Sequence, residues 1–225
     1  MIAEKLQTAG RTLNYAAGIY DCVINIASLG RSRQIRAEAI DAMDFQPDDR
    51  ILDLGCGTGA MTLQIADRLS QNGYIEGIDA AGKMIGVADK NLGKTNLSDR
   101  CHFRHALAEA LPFDDESFDY CFSSMFYHHL PIDLKRRSMA EAWRVLRKGG
   151  VFLTIDIDRP GNLLAKLITT CGYRLLRQPA IKENADGILP ELIHHTGFTQ
   201  LELIRRKWNM ISILRAVKPK ENNHV

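Results

Sequence analysis

An α/β fold built on a mostly parallel sheet with helices on both faces is predicted by three features of this sequence. The first is Ile51-Leu52-Asp53-Leu54-Gly55-Cys56-Gly57-Thr58-Gly59, an apolar run that stops at three alternating glycines and passes into a helical pattern through about Leu69. The second is the recurrence downstream of short apolar runs separated by stretches of helical periodicity. The third is length: 225 residues suit one domain of this class with a modest extension, and suffice to bury a full core.

A buried strand that turns sharply into a helix is expected to leave backbone N–H groups and a positive helix end at the turn, a cradle for a ligand. The glycine spacing is not the GxGxxG of dinucleotide enzymes, and no Gly-Lys-Ser/Thr follows. Neither NAD nor ATP is therefore the first ligand to consider. A glycine-rich turn with no ligand is the plain alternative, although glycine destabilises strand and helix interiors and three together call for a reason. Composition is that of an ordinary soluble protein, with 45% hydrophobic and 25% charged residues, and a formal charge of +2 predicts no nucleic-acid surface. Five cysteines, widely spread and without a CxxC pair, argue against a disulfide framework or zinc site and fit a reducing cytoplasm. No secretory signal and no membrane-spanning stretch is read in the sequence.

The segment Leu52 to Gly59 resembles the first motif of class I S-adenosylmethionine-dependent methyltransferases. The resemblance implies a Rossmann-like seven-stranded sheet whose last strand runs antiparallel between the fifth and sixth, an N-terminal helical lid, and S-adenosylmethionine as cofactor with S-adenosylhomocysteine as product. In that family the acidic residue sits by the methionine amino end and the glycines let the backbone lie against the cofactor. The matching positions are Asp53, Gly55, Cys56, Gly57 and Gly59.

Residues 1–225 read as one domain: a helical extension over 1–45, a core over 46–217 with an acceptor-side insertion at about 158–185, and a polar tail over 218–225. Leu13, Ala16, Ala17, Tyr20, Val23, Ile24 and Ala27 recur at helical spacing, and Ile35, Ala39, Ala42 and Met43 mark a second helix. Tyr20-Asp21 resembles an element of the family's lid, though Tyr20 could equally be one more apolar-face residue. The second strand, over 73–78, ends at Asp79, where a carboxylate can accept both hydroxyls of a ribose; an N-cap for the next helix is the alternative. In the following Ala80-Ala81-Gly82-Lys83-Met84, which resembles the family's adenine-packing segment, Met84 is the candidate contact, or else a core methionine.

A third strand over 101–105 precedes Leu107-Ala108-Glu109, which resembles the family's adenine-side loop. The family usually opens this loop with Asp, and the alignment puts Leu107 there; either a backbone carbonyl, water or Glu109 takes its place, or cofactor binding is weak. The fourth strand continues over 120–124, where Ser123 could face the methionine part of the cofactor. Beyond it His128 and His129 are the candidates for a general base, or for fixing the turn through backbone hydrogen bonds. A helix over 134–146 is expected to end at Arg147-Lys148-Gly149-Gly150, followed by a fifth strand over 151–155. In the insertion, Leu164, Leu167, Ile168, Cys171 and Leu175 define one helix face and Lys166, Arg174 and Arg177 another. Core packing is the expected use of the apolar face, while the basic side could meet anionic lipid. A helix over 188–195 and strands over 198–205 and 208–217 complete the sheet.

The expected reaction is in-line methyl transfer to a small, apolar acceptor such as a quinone precursor or lipid. The N-terminal segment, with Leu29-Gly30, Arg33 and Arg36, is loosely similar to quinone-biosynthesis C-methyltransferases. A non-catalytic cofactor-binding regulator and a methyltransferase for a soluble metabolite stay open. No nucleic-acid partner and no metal are expected; the sequence leaves oligomeric state undetermined.

Overall fold

β1 (Arg50–Leu54) is buried from Ile51 onward because strands flank it on both sides: β2 (Tyr74–Asp79) and β4 (Phe118–Ser124), both parallel to it. Such burial on two faces is what a near-continuous apolar strand requires. β3 (Cys101–His105) lies beyond β2, and β5 (Leu146–Ile157) beyond β4. The far edge is an antiparallel pair, β6 (Thr199–Lys207) and β7 (Ile211–Val217), with β7 against β5. The order β3-β2-β1-β4-β5-β7-β6 has the seven strands and the inserted antiparallel last strand expected. Strand order reverses between β1 and β4, which opens a crevice at the carboxyl ends of those strands. The computed structural model describes residues 8–10, 12, 14, 17, 25, 26 and 29–220, so the candidate Tyr20 lies outside the described residues.

Side-chain alternation along β1 separates two cores. Leu52 and Leu54 join Phe152, Leu189, Ile193 and Phe198 on one face; Ile51 joins Ile65, Ile75, Phe122 and Leu153 on the other. The helices covering these faces are α1 (Ser32–Ile40), α2 (Ala60–Ala66), α3 (Gly82–Leu92), α4 (Ile132–Val145), α5 (Leu163–Leu176), α6 (Pro179–Ala185) and α7 (Ile188–His195).

Two expectations are corrected here. α4 stops at Val145, and Arg147 to Gly150 belong to β5, not to a helix terminus. Leu146 turns extended and pairs with Phe118, while Gly149 N–H donates to the Lys218 carbonyl and Lys218 N–H to Gly150, so the glycines bend a strand at the sheet end. The apolar face of α5 does not enter the core: Leu164, Leu167, Ile168, Cys171 and Leu175 are exposed, and the buried residues among the described side chains of α5 are Ala165 and Thr169. α6, opened by Pro179 at its first turn, was not foreseen, since a seven-residue helix shows too little periodicity. No helix among the described residues is long and apolar enough to cross a membrane.

Candidate active site

A cavity of about 880 Å³ lies over the carboxyl ends of β1, β2 and β4. Ten of the residues singled out in the sequence are on its wall: Asp53, Gly55, Cys56, Gly57, Asp79, Ala80, Met84, Ala108, Glu109 and His129. They come from four separate strand ends, which the reversal of strand order brings together.

The glycine turn is built differently from the expectation. Gly55 and Cys56 N–H both donate to the Ile78 carbonyl at 2.9 Å, and Gly57 N–H donates to Asp79 Oδ2 at 3.0 Å. The adjacent β2 end thus absorbs the donors expected to face a ligand. The glycines instead supply shape. Gly55, at φ +75°, has the Phe126 ring packed where a Cβ would stand, whereas Gly57, at φ +56°, has nothing within 4 Å of that position. Gly59 serves the turn rather than the cavity wall; a Cβ there would collide with Phe103.

Asp79 also accepts from Ala81 N–H at 2.7 Å, so it caps the approach to α3 as well as bracing the glycine turn. Each carboxylate oxygen retains a lone pair for a further donor. Burial raises its carboxyl above the ordinary range, opposed by these two backbone bonds. Asp53 is more deeply enclosed: burial lifts its carboxyl to about 7, against a 2.6 Å hydrogen bond from Thr62 Oγ1, with the Asp79 charge adding to the rise.

On the loop after β3, Ala106, Ala108 and Glu109 line the cavity, while Leu107 is off the wall, in a bridge to Ala110. Glu109 accepts from the Thr8 hydroxyl at 2.5 Å, and Thr8, Gly10 and Thr12 also line the cavity, so the described part of the N-terminal segment reaches it. Ser123 is likewise off the wall: it is fully buried and donates to Thr154 Oγ1 at 3.1 Å. Period-two alternation in β4 gives Ser124 the position expected of Ser123.

Past Ser124 the chain bends through Met125, at φ +53°, into a single 3₁₀ turn over Tyr127–His129. The two histidines separate in role here. His128 is buried and its Nδ1 lies 2.7 Å from Asp156 Oδ1, while His129 faces the cavity with its ring centroid 4.0 Å from that of His128. Asp156, at the end of β5, also accepts from Phe126 N–H at 3.0 Å and Ile157 N–H at 2.7 Å. Burial works against its ionisation, but the charge and hydrogen bond of His128 outweigh it and hold the carboxyl below the usual range. Asp156 therefore ties the turn's backbone, with the His128 ring held against it.

A family model described as a methyltransferase domain matches residues 51–150, the stretch from β1 to the bend of β5. The ubiquinone/menaquinone biosynthesis C-methyltransferase of Geotalea daltonii is 30% identical over 163 residues, 72% of this chain and 67% of that protein. The demethylmenaquinone methyltransferase of Lactiplantibacillus plantarum is 29% identical over 165 residues, 70% of this chain and 69% of its own. This chain belongs to the class I S-adenosylmethionine-dependent methyltransferases. A solved methyltransferase structure from Methanosarcina mazei shares the fold, with a TM-score of 0.61 at 24% identity, over 79% of this chain and 95% of that one.

In the far half of the methyltransferase cavity, only the N-terminal contribution of Leu29, Ile35 and Arg36 was read from sequence. Ile35 and Arg36 of α1, together with Lys207, Trp208, Ile211 and Ile213 around the β6–β7 turn, close it opposite the glycines. No local motif marks Lys207, Trp208, Ile211 and Ile213, because the antiparallel β7 returns them to the sheet's active end from late in the chain. Asp156 did carry a signal, an acid at the carboxyl end of a strand otherwise apolar.

Proposed function

We propose that this methyltransferase acts on a small, largely apolar acceptor of the quinone-precursor or lipid kind, held in the half of the cavity away from the glycine turn. The observation that carries the proposal is the division of one cavity into two chemistries. Asp53 and Asp79 stand at the strand ends, and the remainder is chiefly apolar, with Ile35, Ile155, Ile211, Ile213 and Trp208, although Arg36, Arg205 and Lys207 also reach it. The volume is in the range that takes a drug-sized ligand, and the open space over Gly57 suits a close backbone approach. The names of the two quinone-methylating relatives point to the same acceptor class.

When bound, S-adenosylmethionine supplies a methyl group already activated by its sulfonium. The chain's task is to hold, orient and enclose. Asp79 takes the ribose hydroxyls, Asp53 faces the methionine amino end, and Gly55, Cys56 and Gly57 form the floor. Met84, Ala80, Ala108 and Glu109 flank the adenine. Aligned approach of this kind contributes up to about 7–11 kcal/mol. His129, on the wall, accepts the acceptor's proton at an imidazole nitrogen; His128 and Asp156 fix the turn from which it projects.

The direct test supplies the enzyme with labelled cofactor and a detergent-dispersed prenylated quinol lacking its ring methyl. Label in the quinol after extraction is expected. Label found only in water-soluble acceptors would contradict the proposal.

A further inference from the structure

We propose that α5 is a bilayer-docking helix that seats the mouth of the acceptor cavity on an anionic lipid surface; this rests on the lipophilic acceptor proposed above. At 100° per residue, Leu163, Leu164, Leu167, Ile168, Cys171 and Leu175 fall within one arc of about 140°. The five large aliphatic residues of this arc are 82%, 65%, 59%, 50% and 83% exposed in chain order. Ala165 and Thr169, on the opposite side, are its buried residues among the described side chains, with Thr170 and Tyr173 half-buried. The helix thus lays Ala165 and Thr169 on the domain and turns these five large aliphatic residues outward, the reverse of a surface helix that serves a core. A continuous apolar stripe of this kind marks an interaction surface.

Charge selects the occupant. α5 carries Lys166 and Arg174, has no Asp or Glu, and is followed by Arg177. On the same wheel Lys166 lies outside the Leu163 edge of the apolar arc and Arg174 just inside that edge, between Leu163 and Leu167, while Arg177 follows at the C-cap. A helix lying in the headgroup plane uses this arrangement, with its apolar side in the acyl boundary and its cations against anionic headgroups. A second protein surface could cover the leucines, but nothing in that contact calls for an exclusively basic margin.

Position adds the functional link. Asn162 caps α5 through a 2.8 Å bond from Ala165 N–H, and Gly161 N–H donates to the Asn209 carbonyl at 2.7 Å. This ties the start of α5 to the β6–β7 turn, where Trp208 is both exposed and part of the cavity wall, with Lys207 Nζ 5.1 Å from its ring. Leu29, also exposed, lines the same cavity. Aromatic residues with one apolar and one wet side suit a lipid–water boundary. An acceptor dissolved in the bilayer enters beside Trp208 without crossing water.

The experiment is flotation of the full chain with phosphatidylcholine vesicles, with and without phosphatidylglycerol. Wild type floats with the anionic vesicles and is released by salt. Lys166→Gln and Arg174→Gln each weaken binding roughly fivefold. Leu164→Gln/Leu167→Gln, at exposed positions, abolishes flotation while methyl transfer to a detergent-dispersed quinol is unchanged. Absence of flotation, or flotation unaffected by the leucine changes, overturns docking even where quinol methylation proceeds. A solution dimer dissociated by the same leucine changes, read by light scattering, overturns it in favour of a second copy of this chain. Failure of quinol methylation with flotation intact overturns the acceptor proposal instead.

Discussion

The Thr62 hydroxyl donates to Asp53 Oδ2 at 2.6 Å within a pocket where burial raises the Asp53 carboxyl to about 7. An ammonium or sulfonium placed beside this group favours its ionised form, so cofactor binding and loss of the Asp53 proton are coupled. Affinity for S-adenosylmethionine should therefore rise with pH up to about 7 and level above it. Thr62→Val, which removes a bond to the ionised form, should move that midpoint upward. Calorimetric titration across pH 5.5–8.5, a range chosen to span about one and a half units either side, checks both.

The same carboxyl affects stability in the opposite direction. Its folded pKa lies above the unfolded value of 3.8, so its contribution is fully present below 3.8 and is lost as pH rises through about 7. Asp53→Asn should then raise the melting temperature of ligand-free protein at pH 8, by the equivalent of about 1–4 kcal/mol, while weakening cofactor binding. Differential scanning calorimetry with a parallel titration measures the two signs.

Gly55 and Gly57 are two residues apart and should fail differently. Gly55→Ala drives a methyl into the Phe126 ring and should cost about 1–3 kcal/mol of stability through overpacking. Gly57→Val meets open space, so its cost is confined to about 1–2 kcal/mol of backbone strain at φ +56°, but it fills the floor of the cavity. Chemical denaturation and cofactor titration should show the first variant chiefly destabilised and the second chiefly unable to bind.

His129→Ala should lower kcat by about 10²–10⁴ with the melting temperature little changed, as expected for loss of a general base. His128→Ala removes the hydrogen-bond partner of the buried Asp156 carboxylate and should destabilise by about 1.5–3 kcal/mol. Equal kinetic effects and equal melting temperatures in the two variants would contradict this separation of roles.

The positions of most strands and the near half of the cavity were legible because local chemistry announces them, whereas the order of the strands came only from the family resemblance of Leu52 to Gly59. Apolar runs ending in Gly55 or Asp79 state where a strand stops and which end is functional. Less legible was anything decided by neighbours. Whether Gly55 N–H faces a ligand or the Ile78 carbonyl depends on β2, and whether Ser123 or Ser124 meets the cavity depends on the phase of β4. The α5 stripe was visible in the sequence, yet periodicity gives only that a face exists. Its outward direction follows from Ala165 and Thr169, small enough to lie against the domain. Trp208 and Asp156 reach the site through β7 and β5, elements whose register no motif records.

The most direct measurement is titration of S-adenosylhomocysteine into wild type and Asp79→Ala by calorimetry. One molecule bound per chain, with affinity at least about tenfold lower in Asp79→Ala, is expected for loss of hydrogen bonds to a charged group. No binding by the folded wild type, or equal affinity in the two proteins, would contradict a cofactor site at the ends of β1 and β2.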